Sequence, residues 1–276
     1  ELVLSHTPFY VESGGQVTDS GTVSGPDGTW TVAIDSARRP LGNAAGAPVV
    51  LSGVVTGGML KSGDACTASV DSLRRADIQR NHTATHLLQR SLRAVLGGHV
   101  GQQGSLVDEH RLRFDFSHNA ALSPQEAERI GALLNGDILS NLPVSDVQLP
   151  YKEAIARGAM AFFSEKYGDV VRMVSVGAED APAISMELCG GTHVRQTGDI
   201  GAAVIVGEGA VSAGVRRIEV LTGRGALAHM QEQSRQLSEV AKIVNAQSGD
   251  VVTQATRMAE QLKETHKRLE HAQREL

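Results

Sequence analysis

Hydrophobic and polar positions divide the chain into three stretches. Residues 1–72 hold short apolar segments, such as residues 30–34 and 49–51, separated by Gly, Asp, Ser and Pro. Short strands with frequent turns predict a small β-barrel. Residues 73–225 interleave helical spacing with strand-like alternation, and residues 226–276 almost lack glycine. We therefore expect an α+β protein with an N-terminal β-barrel, an α/β core and a C-terminal helical segment over these three ranges.

The elements of the second stretch follow from local patterns. Leu87, Leu88 and Leu92 have helical spacing and predict a helix over residues 73–97. Ser123 and Glu126 form a capping-box pattern that begins a helix ending near residue 140. Alternating apolar positions predict a half-buried strand over residues 112–116. Further strands are expected over residues 144–149, 170–176, 184–188, 202–206 and 215–221, with a short helix over 151–157.

The third stretch predicts two helices that are separated near residues 247–250. The second helix is long and rich in Gln, Glu, Lys and Arg. This pattern is typical of a coiled-coil hairpin or a dimer contact, and a solvated helix separated from its partner explains it equally well. Because the chain begins at Glu1 without Met and ends within this helical pattern, we expect it to be a piece of a longer protein.

Composition sets the class of protein. The chain has 276 residues, of which 41% are hydrophobic and 21% charged, and no run of about 18 apolar residues predicts a membrane span. No signal peptide is evident. Two cysteines provide no disulfide framework, which favours a cytoplasmic protein, and Cys66 is expected in a core.

The net charge of −5 does not indicate general nucleic-acid binding, although a small RNA end needs only a local basic patch. Solvated surface explains most of the Arg and Lys residues. The candidates for such a patch are Arg74, Arg75, Arg80, Arg216 and Arg217.

Two pairs of metal-ligand side chains stand about a hundred residues apart. His82 and His86 are four apart and leave the same face of the predicted helix. Cys189 and His193 are also four apart, but the two glycines between them predict a tight loop. A histidine pair alone is more often structural than metal-binding. The second pair changes this balance, because a Cys/His set of four suits tetrahedral Zn²⁺.

These motifs resemble the editing domain of alanyl-tRNA synthetases. The resemblance rests on His-Thr-Ala-Thr-His at 82–86 and Cys-Gly-Gly-Thr-His at 189–193, and it runs from about residue 5 to residue 225. Four flanking runs agree with it: Phe-Tyr-Val-Glu-Ser-Gly-Gly-Gln at 9–16, Leu-Arg-Phe-Asp-Phe-Ser-His at 112–118, Glu-Lys-Tyr-Gly-Asp at 165–169 and Gly-Val-Arg-Arg-Ile-Glu at 214–219. The aminoacylation and tRNA-recognition domains of the family are missing from the sequence.

The resemblance implies hydrolysis of tRNA(Ala) that carries serine or glycine, with Zn²⁺ held by the two pairs. A site that removes serine needs a polar group for the substrate hydroxyl, and Thr85 is the candidate. Its alternative role is a hydrogen bond to its own helix. Gln102 matches a family glutamine that lies in the editing pocket, where it would orient water or hold the substrate amine. The glycine-rich turn at 13–16 is either a simple bend or part of the rim of that pocket.

Three functions compete at this point. The first is the editing region of an alanyl-tRNA synthetase, whose partner is the acceptor end of tRNA(Ala). The others are a free-standing trans-editing hydrolase and a zinc-stabilised tRNA-binding module without catalysis. For the metal, four protein ligands suggest a structural ion, whereas catalytic zinc keeps an open position, and the sequence supports both. Dimerisation through the C-terminal helices is a further expectation.

Overall fold

The computed structural model describes residues 1–42, 47–162, 167–178 and 181–275. Glu165 and Lys166, which belong to one of the family motifs, lie outside the described residues. The chain divides into two compact units, Glu1–Ala226 and Leu227–Leu276. The three domain ranges expected from the sequence stay predictions.

The first unit begins with an antiparallel sheet in the order β1-β4-β3-β2-β5. Its core contains Val23, Trp30, Val32, Ile34 and Leu51. The mixed α/β class agrees with the prediction, and closure of this sheet into a barrel stays a prediction. Its strands are β1 Leu2–Val3, β2 Gly21–Ser24, β3 Thr31–Arg38, β4 Val50–Gly57 and β5 Thr67–Val70.

Cys66 is exposed, so its expected place in a core is wrong. It lies immediately before β5, in a connecting segment whose residues 61–66 are all exposed. The alternating sequence pattern includes Cys66, but the strand itself begins one residue later, so the thiol lies outside it.

The long helix α1, Ser72–Leu96, is the central element of the first unit. The Asp71 side chain accepts hydrogen bonds from the backbone N–H groups of Leu73 and Arg74, which caps its first turn. The helix ends at Gly97, whose φ of 113° suits glycine. Residues 81–89 are all buried, which places even the polar positions of this stretch inside the protein.

A second antiparallel sheet, in the order β11-β12-β7-β6, shares its main core with α1 and α2. Leu88 of α1, Phe114 of β7, Leu134 of α2 and Ile218 of β12 are fully buried there. The predicted capping box of Ser123 and Glu126 is present at the start of α2. These elements are β6 Gln102–Val107, β7 Leu112–Ser117, α2 Pro124–Leu139, β11 Ala203–Ser212 and β12 Val215–Thr222.

A third, smaller antiparallel sheet in the order β10-β9-β8 presents the second ligand pair. Its strand β10 ends one residue before Cys189, as the pattern predicts. The elements here are β8 Val144–Pro150, α3 Tyr151–Ala156, β9 Val170–Val176 and β10 Ser185–Leu188.

The helices of the C-terminal segment are α4 Gly223–Ile243 and α5 Val251–Glu275, separated as predicted by a break that includes a short 3-10 turn at Ser248–Asp250. In the second unit, Leu237, Ile243 and Leu262 are exposed. Among the described residues, no helix combines the length and apolar character needed to cross a membrane. The expected dimer stays a prediction.

Candidate metal centre and pocket

The two predicted ligand pairs meet in the first unit. His82 and His86 project from α1, while Cys189 and His193 lie on the loop that follows β10. Each residue offers one ligand atom, and the four atoms all lie within 4.8 Å of one another. The Cys189 Sγ atom is 3.3 Å from His82 Nε2 and 3.4 Å from His193 Nε2.

This donor set fits a metal ion. Zn–N and Zn–S bonds of about 2.0–2.3 Å give tetrahedral ligand–ligand separations of roughly 3.3–3.8 Å. The two Sγ–N separations of Cys189 lie in that range. His82 and His86 are buried, and Cys189 and His193 are half-buried. The Nδ1 atom of His86 is buried without a hydrogen-bond partner among the described residues. Such an atom favours a ligand that the protein itself does not provide.

Burial shifts the pKa values of the three candidate histidines and of the cysteine in opposite directions. It lowers the pKa of His86 to about 4, and it lowers the pKa values of His82 and His193 well below the ordinary histidine value. Burial also raises the pKa of the Cys189 thiol to about 12. At neutral pH the imidazoles are therefore uncharged, whereas the thiol keeps its proton until a cation displaces it.

Arg172, on β9, holds the loop that carries Cys189. Its guanidinium donates to the backbone carbonyls of Cys189 and Gly191, at 3.2 and 2.7 Å, and it pairs with Asp146 at 2.9 Å. The backbone N–H of Cys189 donates in turn to the carbonyl of Arg172 at 3.1 Å. Sequence reasoning missed this residue, because the contact depends on the pairing of β9 with β10.

Thr83 supports the fourth ligand and was also missed. Its Oγ1 atom lies 3.1 Å from His193 Nδ1 and accepts a hydrogen bond from the backbone N–H of Val194 at 3.2 Å. The position next to His82 on α1 is the signal that could have identified it. Hydrogen bonds to the second nitrogen of a ligand histidine orient the ring toward the metal.

A cavity of about 450 Å³ lies beside the cluster. The predicted residues Thr85 and Gln102 both line it, together with three of the four metal-ligand candidates. Ser13 and Gly14 also line it, which favours the rim interpretation of their turn. The remaining lining residues are Tyr10, Ser105, Phe162, Tyr167, Glu187, Leu188, Gly190 and Gly191.

Among the residues that the structure describes, the side chains of Thr85 and Gln102 each make one hydrogen bond. The Thr85 hydroxyl donates to the carbonyl of Asn81 at 2.9 Å, which is the alternative role considered for it. The Gln102 amide donates to Ser105 Oγ at 2.9 Å. Because the Thr85 proton is engaged, the oxygen can only accept a further hydrogen bond from a molecule in the cavity.

Glu187 is a third residue that sequence reasoning missed. It is buried, its Oε1 accepts from Ser185 at 3.2 Å, and its Oε2 lies 3.6 Å from His86 Nε2. Burial raises the pKa of this carboxyl to about 7. Alternation along β10 could have identified it, since it stands two residues before Cys189.

The five arginines proposed as a basic patch all contact carboxylates. Arg74 pairs with Glu109 at 2.9 Å, and Arg75 pairs with the buried carboxylate of Asp19. The other three pairs are Arg80–Asp77, Arg216–Glu208 and Arg217–Asp115. Intramolecular pairing lowers the net positive charge that these residues offer to a partner.

Comparison with known proteins tests the resemblance. The family described as "Threonyl and Alanyl tRNA synthetase second additional domain" matches residues 171–219, a range that includes β10, the Cys189–His193 loop and β11. The chain is 48% identical over 259 residues to the alanine–tRNA ligase of Chloroflexus aurantiacus, an alignment that covers 91% of this chain. It is 44% identical over 273 residues to the corresponding enzyme of Dichelobacter nodosus, across 99% of this chain.

The chain is homologous to a segment of alanine–tRNA ligases. It spans 28% and 30% of the length of these two relatives. The resemblance read from the motifs is therefore confirmed, and the matches support an editing domain of an alanyl-tRNA synthetase. The four residues that the two motifs predicted as ligands form a cluster that could hold a metal ion.

Proposed function

We propose that this chain hydrolyses the ester bond of Ser-tRNA(Ala) and Gly-tRNA(Ala), releasing free amino acid and tRNA within a larger enzyme that charges tRNA(Ala) with alanine using ATP. The supporting observation is one cavity that joins a Cys/His cluster, the Thr85 oxygen and the Gln102 amide. A volume of about 450 Å³ is typical of sites for small ligands and suits the aminoacylated end of a tRNA.

The proposed metal is Zn²⁺, held by His82, His86, Cys189 and His193. A bound zinc ion polarises a carbonyl oxygen or makes a nearby water more acidic. Four protein ligands are typical of a structural site, which favours a role in holding α1 and the loop after β10 together as two walls of the cavity. Gln102, on β6, would orient the attacking water or the substrate amine.

Thr85 is the proposed selector of serine. Its proton is engaged by the Asn81 carbonyl, so its oxygen accepts from the hydroxyl of a seryl group. An alanyl group would place a methyl against this buried oxygen and leave it unpaired, at a cost of about 1–3 kcal/mol. A glycyl group leaves room for a water molecule at the same place, which avoids that penalty.

The first experiment compares deacylation of Ser-tRNA(Ala) with that of Ala-tRNA(Ala), with and without a zinc chelator. The chain offers a matched pair of variants. Cys189→Ala removes a proposed ligand, whereas Cys66→Ala removes an exposed thiol. We expect faster hydrolysis of the serine ester, lost with chelator and in Cys189→Ala but unchanged in Cys66→Ala.

The other outcomes are equally informative. Hydrolysis that persists unchanged in Cys189→Ala would show that the metal is not needed. Saturable binding of Ser-tRNA(Ala) without turnover, at high protein and substrate concentrations and with zinc present, would instead support the tRNA-binding module.

A further inference from the structure

Gln16 contacts the candidate metal centre from the N-terminal part of the chain. Its side chain is fully buried, and its Oε1 atom lies 2.6 Å from His82 Nδ1. The same oxygen accepts a hydrogen bond from the backbone N–H of Thr192 at 2.9 Å. The amide nitrogen of Gln16 donates to Thr192 Oγ1 at 3.0 Å. One side chain therefore connects the histidine pair on α1 to the loop that carries Cys189 and His193.

These contacts determine which nitrogen of His82 carries the proton. The backbone N–H of Thr192 can only donate, so the Gln16 atom that faces it must be the carbonyl oxygen. That oxygen has no proton to offer, so His82 Nδ1 must be the donor in their short contact. The neutral ring then presents the lone pair of Nε2, which is the nitrogen 3.3 Å from Cys189 Sγ.

The other two candidate ligand histidines lack such a constraint, since the Glu187 Oε2 atom, 3.6 Å from His86 Nε2, is too far for a hydrogen bond. The Thr83 hydroxyl beside His193 can either donate or accept, and His86 Nδ1 has no hydrogen-bond partner among the described residues. His82 is thus the histidine of the three whose tautomer follows from its contacts.

The backbone around Gln16 is itself held in place. Gln16 and Ser13 exchange backbone hydrogen bonds across a tight turn, at 3.1 and 3.3 Å. The neighbouring Val17 and Gly15 are bonded to Val107 at the end of β6, at 3.0 and 2.7 Å. Backbone hydrogen bonds therefore fix the turn that carries the Gln16 amide, which limits the entropy lost in orienting this side chain.

We propose that Gln16 is a positioning residue of the metal centre, which holds His82 as the Nδ1–H tautomer with Nε2 directed at the ion. The glycine-rich turn of the N-terminal segment thereby acquires a function in metal binding. The inference rests on the proposed metal site but not on hydrolysis, so its test needs no tRNA.

Two variants separate the carbonyl acceptor from the volume of the side chain. Gln16→Met keeps a similar length without an acceptor, and Gln16→Glu keeps oxygens that accept from His82 and Thr192. We expect zinc affinity, measured by competition with a chromophoric chelator, to fall about 10–100-fold in Gln16→Met and to be largely restored in Gln16→Glu. A general packing role would make both variants bind equally well or equally badly.

The tautomer is read directly from long-range ¹H–¹⁵N spectra of the metal-free protein, with the His82 signals assigned by their loss in His82→Ala. We expect the Nδ1–H form in the unmodified protein and in Gln16→Glu. A predominant Nε2–H form in the unmodified protein, or zinc binding by a folded Gln16→Met within twofold of the unmodified protein, would overturn the proposal. If Gln16→Met does not fold, the tautomer measurement still decides.

Discussion

Gly191 provides the sharpest test of the ligand geometry. A Cβ atom added there would lie 1.9 Å from Cε1 and 2.3 Å from Nδ1 of His82, and 2.8 Å from Oε1 of Gln16. Both side chains are buried, and the His82 ring is held by its 2.6 Å contact with Gln16, so a turn of the ring would break that contact. Position 191 requires glycine because a side chain would have no space there. Its backbone conformation does not require glycine, since its φ is not positive.

The expected cost follows from the displacement. To reach ordinary contact at 3.4 Å, the His82 ring and the loop at residue 191 must move apart by about 1.5 Å, whereas metal–ligand distances tolerate about 0.2 Å. Loss of a hydrogen-bond partner behind a ligand already lowers metal affinity 10–100-fold. We therefore expect Gly191→Ala to bind zinc at least about 100-fold more weakly, which corresponds to roughly 3 kcal/mol.

The adjacent glycine is the control. A Cβ atom at Gly190 meets nothing within 4 Å, and its φ is not positive. Gly190→Ala should therefore bind zinc as the unmodified protein does. The assay is competition with a chromophoric chelator, with circular dichroism to confirm that both variants fold. If a folded Gly191→Ala binds zinc within threefold of Gly190→Ala, the placement of His82 beside this loop is wrong.

Three further predictions concern protonation and selectivity. Because burial raises the pKa of Glu187 from 4.5 to about 7, the native state keeps a proton that the unfolded chain has lost, and stability falls as pH rises through this window. Glu187→Gln should remove this fall in stability. Relative to the unmodified protein, the metal-free variant should be stabilised by up to about 3 kcal/mol more at pH 8 than at pH 4, as measured by urea unfolding. An equal effect of the substitution at both pH values would contradict this prediction. In the Glu187→Gln variant, residue 187 carries no titrating proton at pH 7. Zinc binding to this variant at pH 7 should release close to one proton, because the histidines are neutral and the Cys189 thiol, with a pKa of about 12, is protonated. Calorimetry in buffers of different ionisation enthalpy counts these protons, and a value near zero or three would refute the assigned states. Thr85→Val should narrow the preference for Ser-tRNA(Ala) over Ala-tRNA(Ala) by roughly 5–100-fold in deacylation rates, and an unchanged ratio would remove Thr85 as selector.

Local patterns were sufficient for the elements that carry the site. His82 and His86 are about one helical turn apart, and so are the two residues of the capping box that begins at Ser123. Periodicity and capping rules therefore predict both features without knowledge of the fold. The same holds for the strand that ends before Cys189, since alternation and the following glycines are both local. The fold then brings the two distant pairs together in one cluster.

Tertiary structure decided the surroundings of these ligands. Gln16, Thr83 and Arg172 contact the site through pairings between residues 17 to 176 positions apart, which no local pattern encodes. The pairing of Arg74 with Glu109 and the exposure of Cys66 depend likewise on which segments fold against each other.

Chain spacing by itself therefore determined the residues that could bind a metal and the helix and loop that present them. Only the fold determined their protonation and their freedom to move, because both depend on burial and on distant partners. The low pKa values of the histidines and the high pKa of Glu187 arise from the exclusion of water by packed neighbours. The tautomer of His82 depends on an amide that lies 66 residues away along the chain.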